Sequence, residues 1–319
     1  MKINEQSTGH PLVLIVGAGT MGAAIGCCAA IAGNQVQFFD NSPAATQTVL
    51  DRVAGHIAEL TDYGLCDSDA AAGALASISL ADSLENAAPL ASLIIEAIFE
   101  DVDAKRALFN RLDKLAPPSV PLLSNTSGLR ITDIARDVSH PERTLTAHFW
   151  LPAHLIPLVE IVVGDHSSPE LAQDVKSTLT GWGKAPVVVN RDLPGQLANR
   201  ILQAVIREAV NIVAKGLASP EDVDTAIKMG MALRFPVWGP LEHVDAVGLD
   251  VCQRVQDSVL PVLSARTDAS PLFEQHIENG DLGYKTGRGF YDWSAKDMPS
   301  LVKRRNDFIV AALKQIREN

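Results

Sequence analysis

In the stretch LTAHFWLPAHLIPLVEIVV, residues 145–163, two apolar runs flank a segment broken by Pro152 and Pro157. The pattern predicts paired strands joined by a loop, with His148 on one strand and Glu160 on the other. Such pairing brings an imidazole and a carboxylate together. A histidine titrates near neutrality, and a carboxylate on its far nitrogen fixes the tautomer and stabilises the imidazolium formed when the ring takes a proton. A His–Glu pair picked blind is more often structural than chemical, and His140, His154 and His243 are read as that ordinary kind.

A second constellation lies in VLIVGAGTMGAAIG, residues 13–26, where Gly17, Gly19 and Gly22 form a G-x-G-x-x-G frame straight after an apolar run. Gly17 permits a tight turn off the first strand, Gly19 lets the backbone approach a pyrophosphate, and Gly22 allows the following helix to pack close. The helix N-terminus, at Thr20 and Met21, offers free N–H groups and a partial positive charge to phosphates. Asp40 ends the next apolar run, QVQFFD, where a carboxylate would accept from the adenine ribose hydroxyls and repel a 2′-phosphate. The cofactor expected is therefore NAD rather than NADP. The alternative is a plain glycine turn with a surface Asp; strand before, helix after and acid in place argue against it. A proton-accepting histidine beside an NAD site is what oxidation of an alcohol requires, with the hydroxyl proton going to the base and the hydride to the nicotinamide.

These residues need a scaffold, and the periodicity supplies one. Strands are expected at 12–16, 35–39, 77–80, 93–99, 121–124, 145–149, 158–163 and 186–189, with helices such as 21–32 and 43–60 between the first of them. This alternation reads as βαβ units in an open, mostly parallel sheet. Beyond the NRDLPG turn, residues 190–195, the texture becomes helical with no convincing strand. The expected division is a dinucleotide-binding domain at 1–190 and an all-helical domain for substrate or dimerisation at 191–319.

Composition bounds the partners. A chain of 319 residues, 47% apolar, holds one large core or two smaller ones, and no apolar run is long enough to cross a bilayer. No basic stretch followed by an apolar one opens the chain, so a cytoplasmic location is expected. A net charge of −11 argues against nucleic-acid and anionic-membrane surfaces. Four cysteines, with Cys27 adjacent to Cys28 and Cys66 and Cys252 isolated, form no C-x-x-C pair, and no metal site or disulfide framework is expected.

GAGTMG, SNTSG at 124–128, HFWLP at 148–152, LVEIV at 158–162, PGQLANR at 194–200, GPLEHVDAVGLD at 239–250 and GYKTGRGFYDW at 283–293 stand in an order that resembles the L-3-hydroxyacyl-CoA dehydrogenase superfamily over nearly the whole chain. The resemblance implies an α/β fold, a Rossmann-type mostly parallel sheet domain followed by an all-α C-terminal domain, and NAD as cofactor. It implies that His148 is the general base, that Glu160 orients it, that Ser127 contacts the substrate oxygen and the base, and that Asn199 completes the catalytic group, with the reacting centre between the domains. Asn125 and Glu100, with Lys105 beyond, would line the nicotinamide side. It also implies a homodimer through the helical domain; the apolar faces at 197–213 and 244–262 could serve that interface or be intradomain core.

The chain departs from the acyl-CoA pattern where Leu151 replaces an Asn and Pro157 a Lys, removing two polar groups near the acyl or CoA path. Arg234 in LRFPVWGPLE resembles the arrangement in the lambda-crystallin/L-gulonate and L-carnitine dehydrogenase branches, and the loop LPAHLIPLVE that in a pyridine-carboxylate dehydrogenase branch. A guanidinium can clamp a carboxylate in a bidentate fashion, although Arg234 taken alone reads as a solvated arginine. GYKTGRGFYDW points instead to short-chain hydroxyacyl-CoA enzymes. The expected substrate is a free 3-hydroxy acid or similar small carboxylate alcohol, with 3-hydroxybutyryl-CoA as the alternative. Two further readings stand beside these: an NAD-binding protein without turnover, and a 6-phosphogluconate-like β-hydroxyacid dehydrogenase with a lysine as acid/base.

Overall fold

Short runs of Val, Ile and Leu become strands here because both faces of the sheet are covered, so successive residues are apolar without alternation. The structure, a computed structural model, describes residues 11–318. Its first unit runs through β1 (Leu12–Val16), α1 (Thr20–Ile31), β2 (Gln35–Phe39), α2 (Pro43–Asp62), α3 (Ser68–Ala76), β3 (Ile78–Leu80), α4 (Leu84–Ala87), β4 (Leu93–Glu96), α5 (Val102–Leu115), β5 (Leu122–Ser124), α6 (Ile131–Ile134), β6 (Thr144–Phe149), β7 (Leu158–Val163), α7 (Pro169–Gly181) and β8 (Ala185–Val189). The strands form one sheet in the order β3-β2-β1-β4-β5-β6-β7-β8. All neighbours are parallel except β6 and β7, which are antiparallel. The mostly parallel sheet read from the sequence is the one observed.

Helix starts follow from local chemistry. Ser42 caps α2 with Pro43 in the first turn, Asp101 caps α5 through the Ala104 N–H, and Ser168 caps α7 ahead of Pro169. Helix α1 differs: nearly all its side chains are buried, and Gly26 lies so close to the sheet that a Cβ there would stand 2.2 Å from the Phe38 ring. Strand β4 stops at Glu96, short of the expected 93–99, because the Glu96 carboxylate takes the Ile98 N–H at 2.7 Å and turns the chain.

The order reverses between β1, which leads to β2 and β3 on one side, and β4 on the other. Ligands of open α/β sheets bind outside the carboxyl ends of strands at such a switch point. The Gly17 turn, Asp40, Glu100 and the 125–128 turn all follow the carboxyl ends of parallel strands.

The division into compact units falls between Ala198 and Asn199. The second unit contains the continuation of α8 (Ala198–Ala214), α9 (Pro220–Ala226), a π-helical turn at Ile227–Met231, α10 (Pro240–Val247), α11 (Leu249–Val259), α12 (Pro271–Glu278) and α13 (Met298–Glu318). Among its described residues there is no strand, only isolated bridges of Gly283 to Arg288 and of Arg288 to Asp292. Ile201, Leu202 and Val205 on α8, and Val251, Val255 and Val259 on α11, are exposed rather than packed as intradomain core.

Candidate active site

Strands β6 and β7 pair with His148 directly opposite Glu160, so the two side chains share one face of the hairpin. His148 Nδ1 lies 2.8 Å from Glu160 Oε2. That contact commits Nδ1 to the carboxylate and leaves Nε2 as the nitrogen that can exchange a proton with a ligand. Glu160 is fully buried, which is tolerable because its carboxylate has four donors. The indole of Trp150 donates to Oε2 at 2.9 Å, and the backbone N–H groups of Leu197 and Ala198 donate to Oε1 at 2.8 and 2.7 Å. Burial pushes the Glu160 carboxyl up, but the hydrogen bonds from His148, Trp150, Ala198 and Leu197 outweigh it and hold the group at about 2.

The turn after β5 stands beside this pair. Asn125 accepts the Phe149 N–H on its side-chain oxygen at 2.8 Å and so ties this turn to the end of β6. Glu100 gathers the turn from the other side: its Oε1 accepts from the Thr126 hydroxyl at 2.6 Å, the N–H groups of Ser127 and Gly128 at 3.0 and 3.1 Å, and the Ser127 hydroxyl at 3.4 Å. Ser127 thus turns its hydroxyl to Glu100; among the described residues no hydrogen bond joins it to His148. Although burial raises it, the Glu100 carboxyl is held below its ordinary range by the Thr126 hydroxyl, Lys105 and these N–H groups.

Lys105 is buried at the back of this arrangement. Its ammonium lies 2.6 Å from Glu96 Oε1 and 3.4 Å from Glu100 Oε2, while the Ser124 hydroxyl donates to Glu96 Oε2 at 2.6 Å. Lys105 therefore supports Glu100 from beneath rather than presenting its charge at the surface. Burial pushes the Glu96 carboxyl up despite Lys105 and Ser124. Glu96, Thr126 and Trp150 were not picked out by sequence reasoning; a glutamate ending the apolar run LIIE was the one available signal.

The glycine turn has the space its pattern implies. Gly17 has φ +113°, and a Cβ there would meet the Ala97 carbonyl at 2.5 Å. At Gly22 a Cβ would meet the Gly17 carbonyl at 1.9 Å, so this glycine lets the first turn of α1 sit on its own approach loop. At Gly19 no protein atom comes within 4 Å of the Cβ position. The N-terminus of α1, at Thr20 and Met21, has no side-chain cap and no acid in its first turn, which leaves its N–H groups for an anion. Asp40 joins this turn to the end of β2, accepting from the Ala18 N–H and the Ser42 N–H, each at 2.8 Å. An open glycine, an uncapped helix start and a carboxylate at the second strand fit the pyrophosphate and ribose of NAD.

Among the described residues one group of side chains lies close enough to hold a metal, His56, Glu59 and His154, with ligand atoms within 4.8 Å of one another. His154 Nε2 is 2.9 Å from Glu59 Oε2 and its ring stacks on His56 at 4.1 Å. These contacts tie the loop after β6 to α2. Leu151 in that loop is 59% exposed, and the Pro157 carbonyl accepts the Ala185 N–H at 2.8 Å. Asn199 and Arg234 belong to the second unit. Asn199 accepts from the Gln203 side chain at 3.3 Å, and Arg234 is exposed with no ion pair among the described residues.

The fold and this arrangement define an α/β protein of the dinucleotide-binding dehydrogenase class. Residues 12–193 match the NAD binding domain of 3-hydroxyacyl-CoA dehydrogenase, and residues 195–293 match its C-terminal domain. A probable 3-hydroxybutyryl-CoA dehydrogenase from Bacillus subtilis is 37% identical over 285 residues, covering 89% of this chain and 98% of the relative. The crystal structure of 5-formyl-3-hydroxy-2-methylpyridine 4-carboxylic acid 5-dehydrogenase, an NAD+-dependent dismutase, superposes with a TM-score of 0.89 at 30% identity, covering 97% of this chain and 99% of that one. That of (S)-3-hydroxybutyryl-CoA dehydrogenase from Ralstonia eutropha gives 0.74 at 34% identity, covering 89% and 99%. The chain belongs to the NAD-dependent 3-hydroxyacyl-CoA dehydrogenase family, whose members act on CH–OH groups. No helix among the described residues is long and apolar enough to cross a membrane.

Proposed function

We propose that this protein oxidises the hydroxyl of a small free 3-hydroxy acid, or a similar carboxylate-bearing alcohol, with His148 as general base. The observation that carries the reading is the buried contact of His148 Nδ1 with Glu160 Oε2 at 2.8 Å. Neutral His148 accepts the hydroxyl proton on Nε2, and Glu160 steadies the imidazolium that results. Bound NAD supplies the hydride acceptor at C4 of its nicotinamide. Gly17, Gly19, Gly22, Thr20 and Met21 hold its pyrophosphate and Asp40 its ribose, while Glu100 and Asn125 shape the turn on the nicotinamide side and Lys105 holds Glu100 in place. Ser127 and Asn199 position the substrate oxygen, and Arg234 clamps the carboxylate; Asn199 and Arg234 enter on their motif positions alone.

Two findings support a free acid over a thioester. Leu151 and Pro157 leave the loop after β6 without the polar groups of the acyl-CoA pattern, and the TM-score of 0.89 is to an enzyme named for a pyridine carboxylate. The Bacillus subtilis relative and the GYKTGRGFYDW ending favour the second reading, a short-chain 3-hydroxyacyl-CoA dehydrogenase. The exposed apolar faces of α8 and α11 support a homodimer, which light scattering on a gel-filtration peak would contradict by returning a monomer mass. A cytoplasmic location belongs to the same reading.

The pH dependence of kcat/KM tests the base. An acid limb in the range of a histidine, about pH 6 to 7, is expected. A limb in the range of a lysine, about pH 9 to 10, would contradict it and indicate the lysine-dependent chemistry of the β-hydroxyacid dehydrogenases.

A further inference from the structure

The Glu160 carboxylate receives its four donors in two pairs. Oε1 is pinned by the N–H groups of Leu197 and Ala198, and Oε2 is shared between His148 Nδ1 at 2.8 Å and Trp150 Nε1 at 2.9 Å. The half-buried Trp150 ring also packs against the imidazole, with centroids 5.6 Å apart and planes tilted by 54°. We propose that Trp150 is a positioning residue that sets how strongly Glu160 holds the proton on His148.

The physical argument rests on the shared oxygen. A donor on Oε2 draws charge from it, so the carboxylate stabilises the imidazolium less than one whose Oε2 served His148 alone. The indole N–H is suited to this task because it is neutral, donates only and does not titrate in the working range. It also fixes the carboxylate plane: with Oε1 pinned by backbone and Oε2 by the indole, the remaining lone pair of Oε2 stays aimed at Nδ1 throughout the cycle. The result is a base that accepts a proton and then gives it up, instead of one locked as imidazolium.

The surroundings offer no other side chain for this role among the described residues. Strands β5 and β8 carry no ionisable side chain, and β6 and β7 carry only His148 and Glu160. The helices packed against these strands bring Asp103, Lys105, Arg106, Arg111, Asp113 and Lys114 on α5, Asp133 on α6, and Glu170, Asp174 and Lys176 on α7. The adjoining loops bring Glu100, Asp101, Arg191 and Asp192, with Lys184 ahead of β8. None of these hydrogen-bonds to His148 or Glu160. Lys184 donates to the Ala153 and Ile156 carbonyls, Asp192 accepts from Thr132, and Asp101 caps α5.

This inference builds on His148 as the base, and its test reads the imidazole directly, without substrate. Trp150→Phe keeps an aromatic ring and loses the N–H. In protein labelled at histidine with 15N, the His148 resonance, identified by its loss in His148→Gln, is titrated in wild type and in Trp150→Phe. The midpoint is expected to rise by about half to one pH unit, a three- to tenfold tighter hold on the proton. The acid limb of kcat/KM should rise with it. An unmoved or lowered midpoint would overturn the proposal. If Trp150→Phe does not fold, incorporation of benzothienylalanine, which replaces the indole N–H by sulfur, gives the same reading. Failure here leaves the base assignment standing, because that assignment is tested separately, by turnover in a variant without His148.

Discussion

His148→Ala is expected to lose about a hundred- to ten-thousand-fold in kcat/KM while binding NADH as the wild type does. In the proposed mechanism removal of the imidazole takes away the acceptor for the hydroxyl proton, and nothing on β5, β7 or β8 can replace it except Glu160. That carboxylate is buried, has four donors and is held at about 2, which makes it a poor proton acceptor at neutral pH. The glycine turn and Asp40 lie on β1, α1 and β2, outside the β6–β7 hairpin, so cofactor affinity should not follow turnover. NADH fluorescence titration beside steady-state rates separates the two. A variant with wild-type turnover would remove His148 from the reaction, and a joint loss of turnover and NADH binding would point to a structural role.

Glu160→Gln should be the second large effect, and it should reach stability as well as rate. Each carboxylate oxygen accepts two hydrogen bonds, whereas an amide offers one oxygen and one NH2 group. Whichever way the amide turns, its NH2 faces two donors. Turned toward Oε1, it opposes the Leu197 and Ala198 N–H groups; turned toward Oε2, it opposes the indole and forces the other tautomer on His148. A loss of about 2 to 4 kcal/mol in a urea titration is expected from the buried donors left unmatched, together with a drop in kcat/KM of about a hundredfold or more. The pH sign follows from the depressed carboxyl. The stabilisation Glu160 contributes is complete above the ordinary carboxylate range and is lost as pH falls toward about 2. The gap between wild type and Glu160→Gln should therefore narrow as the pH falls through that window. A gap independent of pH would show that the carboxylate's charge contributes little.

Much of this arrangement was legible in the residues because burial on both faces writes parallel strands as unbroken apolar runs. The hairpin was legible for a related reason: two such runs, separated by a segment with Pro152 and Pro157, put His148 opposite Glu160. The interactions of side chains with turns were not. Spacing marks Ser127 as part of SNTSG, but it cannot say that Glu100 collects its N–H and hydroxyl along with the neighbouring donors. Glu96 closes an apolar strand, so its type reads as an ending and conceals its ion pair with Lys105. The apolar run at 93–99 reads as one strand for the same reason, yet β4 ends at Glu96 because the turn there is made by that residue's own side chain. On α8 and α11 the period marks an apolar stripe without saying what covers it: Ile201, Leu202 and Val205 on α8 and Val251, Val255 and Val259 on α11 are exposed, while Val210 farther along α8 is buried.

The most direct test of the account is NADH formation from NAD with matched alcohols: L-3-hydroxybutyrate, L-carnitine, L-gulonate and a hydroxymethyl pyridine carboxylate, against L-3-hydroxybutyryl-CoA. Turnover of a free acid with none of the thioester is the predicted result, and it would make Arg234 the next residue to replace. Turnover of the thioester alone would contradict the account and leave a short-chain hydroxyacyl-CoA dehydrogenase with an altered loop at Leu151 and Pro157.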